Sequence, residues 1–121
     1  MNPDVTIEQS FVVGAGLFNT GSFWEAHEAW EHGWRVSQEP VTTLYKGLIQ
    51  TAAALVHWQR GNTRGLERNW YKARPKLVAV ISLTQLCDIA SLITTMDQFV
   101  LSHGLVAVLP QLFRPSVPVA T

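Results

Sequence analysis

Residues Ser22–Arg35 read SFWEAHEAWEHGWR, a stretch that interleaves three tryptophans and three glutamates around His27. Ser22 with Glu25 three residues later forms a capping-box pattern, so we expect a helix to begin here. At about 100° per residue, one stripe of this helix should face the core. The stripe consists of Phe23, His27, Trp30 and Trp34. His27 therefore needs a polar partner, because an unpaired buried polar group costs about 1–3 kcal/mol.

Apolar periodicity on both sides of this stretch predicts further helices. We expect helices over about residues 6–18, 22–36, 41–60, 63–77 and 82–102. Gly61-Asn62 pairs a C′ glycine with an N-cap, which is typical of a tight helix–helix turn. Pro75 should end or kink the helix that contains it, and Ser82 with Gln85 forms a second capping-box pattern. No strand pattern is present, so the sequence predicts an all-α, compact bundle of four to five helices, with residues 41–60 at its centre.

Composition limits the class of protein. With 121 residues, 47% of them hydrophobic and 15% charged, the chain has the size and make-up of a single globular domain spanning residues 1–121. Zero net charge argues against nucleic-acid binding. A single cysteine, Cys87, excludes an internal disulfide and fits a reducing compartment. The sequence contains neither a signal-peptide pattern nor a membrane-spanning apolar run, so we expect a soluble, cytoplasmic protein.

Two pairs of polar residues have helical spacing. His27 and Glu31 lie four residues apart, and Gln50 and His57 lie seven apart on the next helix. We expect these four side chains to converge, with Glu28 beside them. In the structural interpretation, His27 donates to Glu31 or Gln50 and the cluster fixes the register of the helices in a structural or interaction protein.

A metal site is the alternative interpretation of the same residues. His27 and Glu31 have the spacing of two ligands in a His-Glu-x-x-His zinc helix, with a glutamate in the second position. His57 from a facing helix would supply a third ligand and leave an open position, as in a metal-dependent hydrolase. Histidine and carboxylate ligands suit zinc, iron or manganese. No second Glu-x-x-His motif is present, which argues against a ferritin-like di-iron centre.

Charge is segregated along the chain. Six of nine acidic residues lie before residue 40, and six of nine basic residues lie between Arg60 and Lys76. Arg64, Arg68 and Lys72 follow one another at i+4 steps and are therefore a candidate face for an anion or an acidic protein partner. Complementary packing and solvated faces are the alternative explanation for this segregation of charge.

The aromatic content and the apolar tail after Gly104 predict a homo-oligomer, most simply a dimer. The hairpin around Gly61-Asn62 looks like one tetratricopeptide unit, so a peptide-binding module is a further alternative.

Three motifs carry a resemblance to a known family. They are the F-W-E-A-H-E-A-W-E-H-G-W run at residues 23–34, the G-L-I-Q-T-A-A-A-L-V-H run at residues 47–57, and G-N-T-R-G at residues 61–65. Together they resemble domain of unknown function 309, a family of small helical bacterial and archaeal proteins, over about residues 17–77. The resemblance implies an all-helical fold and supplies no activity. The family's recurrent polar positions fall on His27, Glu28, Glu31, Gln50 and His57.

Overall fold

The computed structural model describes residues 3–105 and 109–112, with side chains from residue 8 onward. Five α-helices follow one another along the chain: α1 (Pro3–Asn19), α2 (Phe23–Val36), α3 (Val41–Gln59), α4 (Thr63–Val80) and α5 (Ile89–Leu101). The described residues contain no strand. Each helix packs on the next in a compact bundle. The contact between α3 and α4 is the most extensive, and that between α4 and α5 is the least extensive. The predicted all-α bundle is confirmed.

The first two helices pack around tryptophan. Trp30 is fully buried, and its Nε1 donates to the carbonyl oxygen of Phe11 at 3.3 Å. The ring of Phe18 meets that of Phe23 edge-on at a centroid distance of 5.1 Å. Gly21, at φ 85°, reverses the chain between the helices, a conformation in which glycine has no Cβ penalty. Burial of these large rings against one another is what holds α2 on α1.

The start of α2 differs in detail from its sequence pattern. Ser22 occupies the N-cap position, but its side chain makes no capping hydrogen bond. Its backbone angles, φ −87° and ψ 67°, lie outside the extended conformation that a capping residue typically adopts. The carbonyl oxygen of Ser22 still accepts from the Ala26 N–H at 3.0 Å. The helix begins where the capping box predicts, without the predicted side-chain contact.

The central helix is α3, which packs against α2 on one side and α4 on the other. Its buried residues are Leu44, Tyr45, Gly47, Leu48, Thr51, Ala52, Ala54, Leu55 and Val56. A Cβ at Gly47 would lie 2.7 Å from a methyl carbon of Leu77, so this glycine allows α4 to approach closely. The turn to α4 follows the sequence prediction: Gly61 has φ 75°, and the Asn62 side chain accepts from the Gly65 N–H at 2.8 Å.

Pro75 does not end α4. The helix continues to Val80, so the expected boundary near Leu77 is wrong. Proline removes one N–H donor, which leaves the carbonyl of Tyr71 without its helical partner. Both Pro75 and Tyr71 are exposed, so solvent reaches that part of the helix. The burial of Leu77 and Val80 on the opposite side then favours continuation of the helix.

The last helix begins later than the Ser82–Gln85 pattern predicts. Residues 81–88 form turns and irregular backbone, and α5 begins at Ile89. Asp88 is its N-cap: one carboxylate oxygen accepts from the Ser91 N–H at 3.0 Å and the other from the Ser91 hydroxyl at 2.8 Å. A carboxylate that accepts two bonds at a helix N-terminus is a better cap than a serine hydroxyl with one.

Residues 109–112 pack against the end of α1. The Asn19 side chain donates to the Leu112 carbonyl at 3.0 Å and accepts from the Leu112 N–H at 2.7 Å. Leu112 is buried, so this part of the predicted apolar tail does lie against the bundle. Residues 106–108 and 113–121 of the tail lie outside the described residues.

Candidate functional site

The polar side of α2 lies next to its buried side. Phe23, Ala26, Trp30 and Gly33 form the buried side. His27, Glu31 and Trp34 follow at i, i+4 and i+7 along the adjacent strip, and all three are half-buried. Together with Gln50 of α3, which is also half-buried, they form what we call the polar cluster.

His27 stacks on a tryptophan that is open to solvent. The rings of Trp24 and His27 are nearly parallel, with an interplanar angle of 8° and a centroid distance of 5.2 Å. Trp24 is 50% exposed. This stacking orients the imidazole along the helix surface and leaves the other side of the indole free to contact a second molecule.

Glu31 lies loosely between two nitrogen-bearing side chains, His27 and Arg35. One carboxylate oxygen lies 3.8 Å from His27 Nε2, and the other lies 4.0 Å from a guanidinium nitrogen of Arg35. Both distances exceed hydrogen-bond length. The Glu31 side chain is 40% exposed, so each pair contributes little to stability. Its carboxylate therefore remains available to a further cation.

Three buried polar atoms have no hydrogen-bond partner among the described residues: His27 Nδ1, Trp34 Nε1 and Gln50 Oε1. All three belong to the polar cluster. The expected bond between His27 and Gln50 is not formed, and His27 approaches Glu31 without bonding to it. Each unpaired atom costs the folded chain about 1–3 kcal/mol. The cluster is therefore less stable than the same helices would be with apolar residues at these positions.

Trp34 belongs to this site although its spacing first suggests a core residue. The ammonium of Lys46 lies 5.9 Å from the centre of its ring, within cation–π range. This contact fixes which side of α3 lies above the polar cluster. A tryptophan seven residues after His27 was the available signal, because it lies on the same strip of α2 and a buried indole N–H needs a partner.

His57 and Glu28 lie elsewhere. His57 Nδ1 pairs with the Asn62 side-chain amide at 3.2 Å, and a Cβ at Gly65 would lie 2.6 Å from the imidazole. His57 thus belongs to the turn between α3 and α4. Glu28 is exposed and makes no hydrogen bond or ion pair with any described residue. Of the five predicted residues, the structure shows His27 and Glu31 side by side, at 3.8 Å, while Gln50 lies on α3 with its Oε1 buried and unpaired.

The three proposed metal ligands do not form a ligand group. Among the described side chains that could bind a metal, only Glu31 lies beside His27, and His57 is engaged with Asn62. Within the part of the chain that the structure describes, no three histidine, cysteine, aspartate or glutamate side chains are spaced to hold a metal ion. The geometry of the described side chains therefore adds no support to the metal interpretation.

The basic row of α4 is exposed. The side chains of Arg64, Arg68 and Lys72 make no ion pair within the described residues. Arg74 on the same helix differs, because it donates two charge-assisted hydrogen bonds to Asp97 Oδ2, at 2.9 and 3.1 Å. This guanidinium holds the pKa of the Asp97 carboxyl below its ordinary value. The three free cations of the row remain available to an external anion.

The free charges flank α3 on both sides. Arg68 and Lys72 follow Gly65 by three and seven residues, so they lie on the side of α4 that meets His57. Trp24 and Glu28 lie on the side of α2 next to the polar cluster. Between them runs the outer strip of α3 with Gln50 and Ala53, both half-buried. We call the surface formed by Trp24, Glu28, Gln50, Ala53, Arg68 and Lys72 the three-helix face.

Residues 11–69 match the model of a family described as Domain of unknown function (DUF309). These residues form a DUF309 domain. The family predicted from the sequence is thereby confirmed. The match includes the whole polar cluster and ends between Arg68 and Lys72. No curated protein matches the chain.

None of the helices described for this DUF309 protein is both long enough and apolar enough to cross a membrane.

Proposed function

We propose that this DUF309 protein is an interaction protein and that the three-helix face is its binding surface. The observation that carries the proposal is Trp24, whose indole is 50% exposed and stacks on His27 with its other side open to solvent. An exposed indole contributes little to the stability of its own chain, so its presence on the face is better explained by binding than by stability.

The composition of the face supports the same proposal. Trp24 offers a half-exposed indole, the residue type most enriched at binding hot spots. Glu28 supplies an unpaired carboxylate on one margin, and Arg68 and Lys72 supply unpaired cations on the other. Such a face combines an exposed indole with unpaired charges of both signs, which suits a partner of complementary charge.

Photo-crosslinking tests the proposal. Trp24 is replaced by p-benzoylphenylalanine, an aromatic residue of similar size, and the protein is irradiated inside the cells that express it. The control carries the same residue at Leu101 of α5, which is 85% exposed and lies outside the face. We expect a discrete adduct from position 24 and none from position 101. Mass spectrometry then identifies the second component, including another copy of the same chain.

The identified partner is then purified and its affinity for the intact protein measured. Lys72→Glu should weaken that binding, since the substitution reverses a charge within the face. The absence of an adduct at position 24, or equal yields at both positions, would contradict the proposal.

A further inference from the structure

The charges of the three-helix face complement each other within one chain. Its α2 margin offers an aromatic ring and a carboxylate, Trp24 and Glu28, and its α4 margin offers two cations, Arg68 and Lys72. None of these four side chains makes an ion pair or hydrogen bond with a described residue. A surface that carries both halves of a complementary set on opposite margins is suited to its own copy.

The helices also bring the two margins to the same level. The Gln59 side chain donates to the Gly21 carbonyl at 2.8 Å, and Lys46 lies over Trp34, so α2 runs antiparallel to α3. Gly65, near the start of α4, lies against His57, near the end of α3, so these two helices are antiparallel as well.

These contacts fix the register of both outer helices along α3. Gly47 against Leu77 agrees with Gly65 against His57 to within two residues. Counted from the α2 contacts, Trp24 lies level with Val56 and Glu28 with Ala52. Counted from the α4 contacts, Arg68 lies within one residue of Leu55 and Lys72 within one residue of Thr51, so the two members of each pair are within about 3 Å of the same level. Because both pairs are four residues apart, their spacing along the helix axis is the same, about 6 Å.

We infer that the three-helix face binds a second copy of this chain, with α2 of each copy lying along α4 of the other. A two-fold axis parallel to α3 keeps every residue at its level and exchanges the two margins. Trp24 of one copy then meets Arg68 of the second, and Glu28 meets Lys72. Both contacts occur twice in the closed dimer. The inference rests on the proposed function and specifies its partner.

The centre of the face fits the same axis. Residues of the outer strip of α3 face their own counterparts, so Gln50 meets Gln50 of the second copy. Two carboxamides that meet across the axis can donate to and accept from each other. Ala53 is small enough to let the two α3 helices approach. Lys46 leans away from the axis over Trp34, which keeps its charge from the second Lys46.

Charge reversal with rescue tests the inference. Sedimentation velocity of the untagged wild type should give a dimer at micromolar concentration. Glu28→Lys and Lys72→Glu should each weaken the dimer by at least about tenfold, because each creates two like-charge contacts. An equimolar mixture of the two variants should restore a dimer, since both contacts are then complementary. The double variant E28K/K72E should restore the homodimer as well.

Arg64→Glu is the matched control. Arg64 is an exposed cation on α4, but its level lies beyond the first residue of α2, so it has no counterpart in the second copy. This variant should remain dimeric with unchanged affinity. Circular dichroism of every variant checks that the helices are intact.

Three results would overturn the inference: a wild-type monomer at 100 micromolar protein (about a hundredfold above an ordinary micromolar Kd), no rescue in the mixture, or open assemblies larger than two chains. The proposed function fails separately. A monomeric wild type that still forms a position-24 adduct with a different protein would leave the binding face in place and remove the second copy as its partner.

Discussion

Gly14 of α1 lies directly against the indole of Trp30, and a Cβ at that position would overlap the ring. Gly16, two residues later on the same helix, has no atom within 4 Å of such a Cβ. The two glycines therefore have different roles. Gly14 permits the approach of α2 to α1, whereas Gly16 only weakens the helix.

Alanine substitution should separate the two glycines. Gly14→Ala is expected to lower the free energy of unfolding by about 1–3 kcal/mol, because the buried Trp30 must shift. Gly16→Ala should raise it by about 0.5–1 kcal/mol through helix propensity. Thermal denaturation measures both, at several °C per kcal/mol for a domain of this size. Equal effects at the two positions would show that close packing is not the cause.

Asp97 joins α5 to α4 through two partners. Its Oδ1 accepts from Trp70 Nε1 at 2.8 Å and from Arg74 Nε at 3.0 Å, and its Oδ2 accepts from Arg74 at 2.9 and 3.1 Å. Asp97→Asn keeps an acceptor for Trp70 and should cause a small loss of thermal stability. Asp97→Ala leaves the buried Trp70 N–H unpaired and should cost about 1–3 kcal/mol more.

The difference between wild type and Asp97→Asn should also depend on pH. The Arg74 hydrogen bonds lower the pKa of Asp97 in the folded protein below the ordinary 3.8. A lowered folded-state pKa stabilises the fold above the unfolded value, and the contribution is lost as pH falls through the folded value. The two melting temperatures should therefore converge as the pH falls below about 4. A constant difference from pH 7 to pH 3 would contradict this assignment.

Gln50→Met tests the unpaired carboxamide. Methionine has a similar shape and no acceptor to satisfy, so the free energy of unfolding should rise by about 1 kcal/mol. Gln59→Met on the same helix is the control, because the Gln59 amide donates to the Gly21 carbonyl at 2.8 Å. That substitution should be neutral or slightly destabilising. Chemical denaturation at submicromolar protein keeps self-association out of the comparison. A destabilised Gln50→Met protein would mean that Gln50 has a partner within the fold.

Metal dependence is tested with protein purified without an affinity tag. We expect less than stoichiometric zinc, iron or manganese by elemental analysis. We also expect the melting temperature to be the same with and without chelator, since among the described side chains that could bind a metal only Glu31 lies beside His27. Stoichiometric metal, lost in His27→Ala, would instead favour the metal interpretation of His27, Glu31 and His57.

Cys87 should be unreactive in the native protein. Burial raises the pKa of its thiol to about 12, and the nearby Asp88 carboxylate acts in the same direction. Because the thiolate is the reactive form, a disulfide reagent at pH 8 should label Cys87 only after denaturant is added. The raised pKa also means that this group's contribution to stability is lost as pH rises from about 9 towards 12. Rapid labelling of folded protein at pH 8 would contradict the buried position.

Much of the fold follows from local signals in the sequence. The turns at Gly21 and Gly61 need positive φ, which glycine adopts without strain, and Asn62 caps the helix that follows. Helical periodicity fixes which side of α2 carries Trp30 inward. These features depend on a few neighbouring residues, so the sequence alone determined the all-α class, a bundle of four to five helices and the strip on which His27 and Glu31 lie.

The tertiary structure decided what depends on distances between helices. Whether His27 bonds Gln50, whether His57 joins them, and whether Gly14 or Gly16 contacts Trp30 are set by how α1, α2 and α3 pack. Hydrogen bonds fail within about 1 Å of excess separation, and periodicity places a residue on a side of a helix without fixing that separation. The sequence therefore determined the candidate residues of the site, and only their packing determined which of them remain unpaired.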